Sequence, residues 1–162
     1  MASLQVLTCG KALAEKEWTI SFVEGVTAGK MCYEFSTVPN SEKILVGGLV
    51  CYDPSMEEDI LEIPNWLIES FTPESPEVTK AMATSFYKSS QADVCVAVNG
   101  IISPTGETPE KPLGSIFIHI VLPNKDISKQ FEFKGNPQEI VNQAIDATAL
   151  LISSEINKGI LV

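Results

Sequence analysis

The chain contains no arginine. All 11 of its basic residues are lysines, set against 21 acidic residues, and the net charge is −10 at pH 7. A nucleic-acid-binding surface needs a concentrated positive face to release counterions, and no basic cluster supplies one. Nucleic acid is therefore excluded as a partner. Without arginine there is also no bidentate clamp for phosphate or carboxylate, so an anionic ligand would depend on lysine, backbone N–H groups or a helix N-terminus.

Cysteine is sparse as well. Cys9, Cys32, Cys51 and Cys95 are far apart, and three of them sit inside apolar runs, so neither a metal-ligand spacing nor a disulfide framework is visible. They read as core thiols in a reducing compartment. No run approaches the roughly 18 apolar residues of a membrane-spanning helix, and the N-terminus lacks a signal peptide's basic start and small-residue cleavage site. The expected location is the cytoplasm, away from membranes, with no cofactor and no metal. No repeat, low-complexity run or linker divides the 162 residues, so 1–162 reads as one domain.

What is present is alternation of helical and extended patterns. Residues 3–17 carry Val6, Leu7, Gly10, Leu13 and Ala14 at helical spacing. Trp18 to Val23 alternates large apolar with small polar side chains, predicting a strand with one face on the core. The turn from Glu24 to Gly29 follows, with Thr27 placed to cap a helix that puts Ala28, Met31, Cys32 and Phe35 on one face and stops at Pro39. Ile44 to Tyr52 reads as a strand apolar on both faces, its paired glycines, Gly47 and Gly48, suggesting a bulge or close approach by another backbone.

Asp53 is placed to cap a short acidic helix over 55–62, and a proline-rich connection runs on through Pro64 and Pro73. Ser75 as N-cap, Pro76 at the first helical position and Glu77 beside the positive helix end then predict a helix lined by Val78, Ala81, Met82, Ser85 and Phe86. Strands over 94–98 and 115–122 follow, the second paired with 127–133 as a hairpin. The last helix opens at Asn136-Pro137 with Glu139 three residues after the cap and stops near Gly159. This order predicts an α/β fold: a three-layer α/β/α sandwich with a mixed, mostly parallel sheet. The apolar tail 160–162 is either tucked onto the core or available to a partner subunit, and a homo-oligomer is the expected assembly.

The stretch from Asn99 to Gly114 separates two core strands and holds three prolines and three glycines. It is too long for a hairpin turn, and its prolines stiffen it. It is either a loop rigidified for stability or a shaped surface at the end of the sheet, where α/β proteins place ligands.

Several stretches resemble, in order and at matching separations, the CinA C-terminal domain family. They are Glu24-Gly25-Val26-Thr27-Ala28-Gly29, Val38-Pro39-Asn40-Ser41, Gly47 to Tyr52, Ser75-Pro76-Glu77-Val78 with Ala81-Met82-Ala83, the loop from Gly100 to Gly114, and Phe133-Lys134-Gly135-Asn136. Thr108 to Gly114 is the most specific of these. The resemblance covers roughly residues 4–156, and the chain looks like a stand-alone form without the larger N-terminal domain of full-length CinA proteins.

The family's characterised members are nicotinamide mononucleotide deamidases. The resemblance therefore implies hydrolysis of a nicotinamide carboxamide to nicotinate mononucleotide and ammonia, with a pyridine nucleotide or related small molecule as ligand. Such chemistry needs a nucleophile, a base and donors for the developing oxyanion. The family is thought to use a serine in a Glu-Ser-x-Thr-Gly-Gly motif, a lysine a few residues after a Tyr-Ser-Asn motif, and an arginine near the start of the last helix.

This sequence departs at each position. The serine falls on Gly25, the lysine on Glu57 and the arginine on Pro137, while a second family serine falls on Glu42 and Asn99 replaces a serine or threonine. No catalytic residue is therefore assigned. The candidate pocket residues are Glu24, Gly25, Thr27, Ser41, Tyr52, Asn99, Gly100, Thr108 and Lys111. Glu24 and Lys111 are equally readable as an ion pair locking the loop, Tyr52 as packing, and His119 as a structural side chain without a partner. The expected function is a ligand-binding, regulatory or assembly module that has lost deamidase activity. The alternative is an active amidohydrolase with relocated groups drawn from Ser21, Ser41, Ser55, Ser103, Thr27, Lys43 and Lys111.

Overall fold

A computed structural model describes residues 1–159. The tail residues 160–162 lie outside the described residues. Five strands, β1 (Ile20–Glu24), β2 (Leu45–Val50), β3 (Val94–Gly100), β4 (Ser115–Val121) and β5 (Asp126–Glu132), form one sheet in the order β2-β1-β3-β4-β5. β2, β1 and β3 pair in parallel, and β4 and β5 join antiparallel, so four of the five strands run the same way.

The sheet is covered on both faces. On one side Phe22, Val96, Val98, Ile116, Ile118 and Ile120 meet apolar residues of α1 (Leu4–Lys16), α2 (Lys30–Ser36) and α7 (Pro137–Lys158). On the other, Val23, Cys95, Ala97 and Val121 meet α6 (Pro76–Ser90) and the segment carrying Leu61, Ile63 and Ile68. This is the expected three-layer arrangement, and solvent exclusion from both faces is its main stabilising term.

Local signals set the helix ends. Ser3 accepts the Val6 N–H at 3.2 Å, Asp53 accepts that of Ser55 at 2.9 Å, and Ser75 accepts that of Val78 at 3.2 Å. Asn136 and Glu139 form the reciprocal capping box at the start of α7. These side chains satisfy N–H groups that have no partner within the helix.

Four expectations need correction. β1 is buried on both faces because it lies inside the sheet, and Ser21 satisfies its hydroxyl by donating to Ser90 Oγ at 3.0 Å. β2 is an edge strand rather than a strand buried on both sides, leaving Val46 and Val50 exposed. Ala28 lies before α2 with φ +48° and is exposed rather than on the helix's apolar face. Helix α5 (Asn65–Phe71) occupies what reads as connection: Pro64 and Pro73 bracket it rather than exclude it. Two further short helices, α3 (Ser41–Ile44) and α4 (Pro54–Asp59), flank β2.

The bulge expected at the paired glycines is present one residue earlier. Ile20 pairs with Leu45 but Ser21 with Gly47, so Val46 is the extra residue. Its consequence is a change of face: Leu45 packs on the first core and Leu49 on the second, although residues four apart in a regular strand share a face.

The cysteines are free thiols. Cys9, Cys51 and Cys95 are buried, and desolvation pushes Cys9 up to about 12 and the other two to about 11, which keeps them protonated and unreactive. Among the described residues no helix is long and apolar enough to cross a membrane, and no group of three His, Cys, Asp or Glu side chains converges on a metal position.

Candidate functional site

The parallel strands β1 and β3 end side by side, and the chain leaves them in different directions: into the Gly25 turn and into the 101–114 loop. Between these exits lies a cleft of about 260 Å³ bordered by Gly25, Tyr52, Glu74, Asn99, Gly100 and Ser103. Its floor is the sheet end and one wall is the proline-stiffened loop. That loop is held at its far end by Gly114, whose φ of +93° and whose approach to the Phe133 carbonyl leave no room for a Cβ, which would lie 1.9 Å from that oxygen.

A Cβ at Gly25 would lie 2.8 Å from Asn99 Oδ1 and 3.2 Å from Asn99 Cγ. The Asn99 carboxamide therefore occupies the space a side chain at position 25 would need. It is locked there, donating from Nδ2 to the Pro73 carbonyl at 2.9 Å and accepting the Gly100 N–H at 2.9 Å. Positions 25 and 99 are thus sterically coupled.

Glu24 is buried behind the cleft. One carboxylate oxygen accepts Thr27 Oγ1–H at 2.6 Å and the Gly29 and Met31 N–H groups at 3.0 Å each, and the other accepts the Cys32 N–H at 2.7 Å. Glu24, not Thr27, thus caps α2, where Gly29 at the N-cap offers no side chain. The expected Glu24–Lys111 ion pair does not form. Lys111 Nζ donates instead to the Phe71 carbonyl at 3.0 Å and to Thr72 Oγ1 at 2.7 Å, tying the loop to the C-terminal end of α5.

Of the predicted pocket residues, then, the cleft brings together Gly25, Tyr52, Asn99 and Gly100. Glu24 and Thr27 support it from beneath. Ser41 opens α3, and Thr108 accepts the Lys111 N–H within its own turn at 3.1 Å, both outside the cleft. Tyr52 is 68% exposed at the cleft mouth, so packing does not explain it. Sequence reading misses Glu74, which sits in the connection before α6 where no spacing marks it.

Glu57 is also not where its charge suggests. It is 2% exposed, and its Oε2 has no hydrogen-bond partner among the described residues. Burial, aided by the Glu74 carboxylate, raises its pKa to about 7, so near neutrality it carries much less negative charge than a surface glutamate.

A profile of the CinA C-terminal domain matches residues 4–156. The chain belongs to the CinA C-terminal domain family. It is 36% identical over 131 residues, 81% of its length, to a CinA-like protein of Desulfotalea psychrophila, and 35% identical over 121 residues, 75% of its length, to one of Prochlorococcus marinus. The chain spans about a third of those relatives' own length, 32% and 29%. A solved CinA-superfamily protein of Klebsiella pneumoniae superposes with TM-score 0.89 at 16% identity, covering 95% of this chain and 96% of the other. A competence or damage-inducible protein of Enterobacter asburiae gives 0.88 at 20% identity, covering 94% and 96%. These two likenesses establish the shared fold.

Proposed function

We propose that this CinA-family chain has lost amidohydrolase catalysis and keeps the cleft as a binding site for a pyridine nucleotide or related small molecule, serving a regulatory or assembly role. The observation that carries this reading is the Asn99 carboxamide seated where a nucleophile at position 25 would stand. Two others support it. Among the described residues no lysine borders the cleft to activate a nucleophile, and the residue to which the resemblance assigns the family's lysine, Glu57, is a buried carboxyl. Among the hydroxyls open to the alternative, Ser103 borders the cleft, whereas Thr27 is engaged by Glu24 and Ser21 by Ser90.

The test is direct. Incubated with nicotinamide mononucleotide, the purified protein is expected to release no ammonia above buffer, while one or more pyridine nucleotides raise its melting temperature, as any ligand specific to the native state does. Ammonia release abolished by Ser103→Ala would overturn the loss of catalysis. A flat thermal-shift screen would remove the ligand.

The steric pairing has its own test. Gly25→Ser alone forces Asn99 aside and is expected to cost about 1–3 kcal/mol of stability through overpacking. Added to Asn99→Ser it should cost much less, a coupling of roughly 1–2 kcal/mol between touching sites. Urea melts of the four proteins measure it, and additive effects would mean that Asn99 does not block position 25.

A further inference from the structure

Outside the cleft, the β4–β5 hairpin aligns three side chains. His119 is buried in β4, and its Nδ1 lies 2.6 Å from Oγ of Ser128, its cross-strand partner, while Nε2 lies 3.2 Å from Asp126 Oδ2. Asp126 and Ser128 are two residues apart on β5, so their side chains share a face of the strand. This is a hydroxyl, an imidazole and a carboxylate joined in sequence, and none of the three belongs to the cleft described above.

The protons in this chain follow by elimination. An ionised carboxylate only accepts, so Nε2 must carry a hydrogen and donate to Asp126. Burial holds the imidazole below its usual pKa against the opposing pull of Asp126, with Lys80 of α6 pushing the same way as burial, so the ring is neutral near pH 7 and Nδ1 is bare. The Ser128 hydroxyl therefore donates to Nδ1, which is the arrangement of a serine about to lose its proton to a base. Ser128 is exposed, and it borders a groove of about 140 Å³ together with Pro76, Phe117 and Gln130. β5 is the last strand of the sheet, so among the described residues its outer edge has no strand beside it, and backbone N–H groups there are open to a carbonyl oxygen.

We propose that Ser128, with His119 as its base and Asp126 as the residue that positions the imidazole, is a second site that takes short-chain carboxylic esters and forms an acyl-serine. Ser128 Oγ bonds to the ester carbonyl carbon as its proton passes to His119 Nδ1. The tetrahedral adduct collapses with cleavage of the bond to the alkoxy oxygen, and Nδ1 returns the proton to that oxygen, releasing the alcohol. Water, deprotonated by the same nitrogen, then attacks the acyl-serine, freeing the carboxylic acid and restoring the hydroxyl. The shallow groove limits the acyl group to a few carbons.

With 4-nitrophenyl acetate, the full chain is expected to release a burst of 4-nitrophenolate approaching one equivalent per chain, and peptide mass spectrometry to map the acetyl group to Ser128. Ser128→Ala, an exposed change that leaves the core intact, abolishes the burst. His119→Gln slows it by about 100-fold or more, the usual contribution of a positioned base. Asp126→Asn, which spares the buried ring, slows it and moves the pH–rate midpoint downward, because the carboxylate that favours the imidazolium is gone. Acetyl groups found only on lysines or the N-terminus, or a burst unchanged in Ser128→Ala, would overturn the proposal.

Discussion

Glu24→Ala should lose about 3–5 kcal/mol of stability, since a buried donor stripped of its acceptor costs roughly 1–3 kcal/mol and this carboxylate serves four donors at once. For a domain of this size the melting temperature falls by roughly 10 °C. The loss is localised: the Gly29, Met31 and Cys32 amides lead into α2, so their hydrogen exchange accelerates before that of β3 or α7. Glu24→Gln is the discriminating variant. Its amide oxygen can take the place of the oxygen that accepts three bonds, leaving the NH2 against the Cys32 N–H, so the cost drops to about 1–3 kcal/mol. A Glu24→Ala protein as stable as the parent would show that water replaces the carboxylate and that the helix end is not buried as described.

Glu57→Gln should do the opposite and stabilise the protein, increasingly as pH rises above about 4.5. The folded-state pKa of Glu57 is raised from 4.5 to about 7. A group with a raised folded pKa contributes stability that is fully present below its unfolded value and is lost as pH rises through the folded one. The folded chain therefore weakens between pH 4.5 and about 8 as Glu57 is forced to ionise in place, by about 3–4 kcal/mol at roughly 1.4 kcal/mol per pKa unit. Glutamine carries no charge at either limit. Urea midpoints should match the parent near pH 4 and exceed it near pH 8. His119, whose folded pKa is lowered, acts in the reverse sense across the same range, so the decisive quantity is the parent-to-variant difference at each pH rather than either profile alone. An equal difference at the two pH values would remove the buried carboxyl from the account.

These two glutamates show how far the residues alone can be read. Glu24 stands at the end of an apolar strand, and its position beside the glycine turn is legible, but its partners are not. They lie up to eight residues onward along a turn whose path depends on how α2 seats against Phe22, with Phe22 and Phe35 rings 4.9 Å apart. Glu57 reads as one more charge in an acidic helix. Only the packing of α4 against the α6 side of the sheet turns it inward. Likewise Asn99 reads as a substitution in a loop, and Gly25 as a missing nucleophile. That one fills the space left by the other depends on β1 and β3 lying side by side, with Glu24 opposite Val98. Lys111 reads as a neighbour of the site with Glu24 for a partner, and its true partner stays hidden because α5, whose end it caps, lies between two prolines.

The sequence by itself determined the layers, most helix starts, the hairpin and the family, because hydrophobic period and capping side chains act over a few residues and are written locally. The missing arginine and the glycine at position 25 were equally plain. Tertiary structure decided which side chains face the cleft, which carboxyl is buried with its pKa raised, and that His119 has two partners across a hairpin. Those outcomes turn on hydrogen bonds and steric contacts between segments far apart in the chain, as Lys111 is from Phe71 and Asn99 from Gly25, where a shift of one residue or one rotamer changes the partner while the local pattern stays the same.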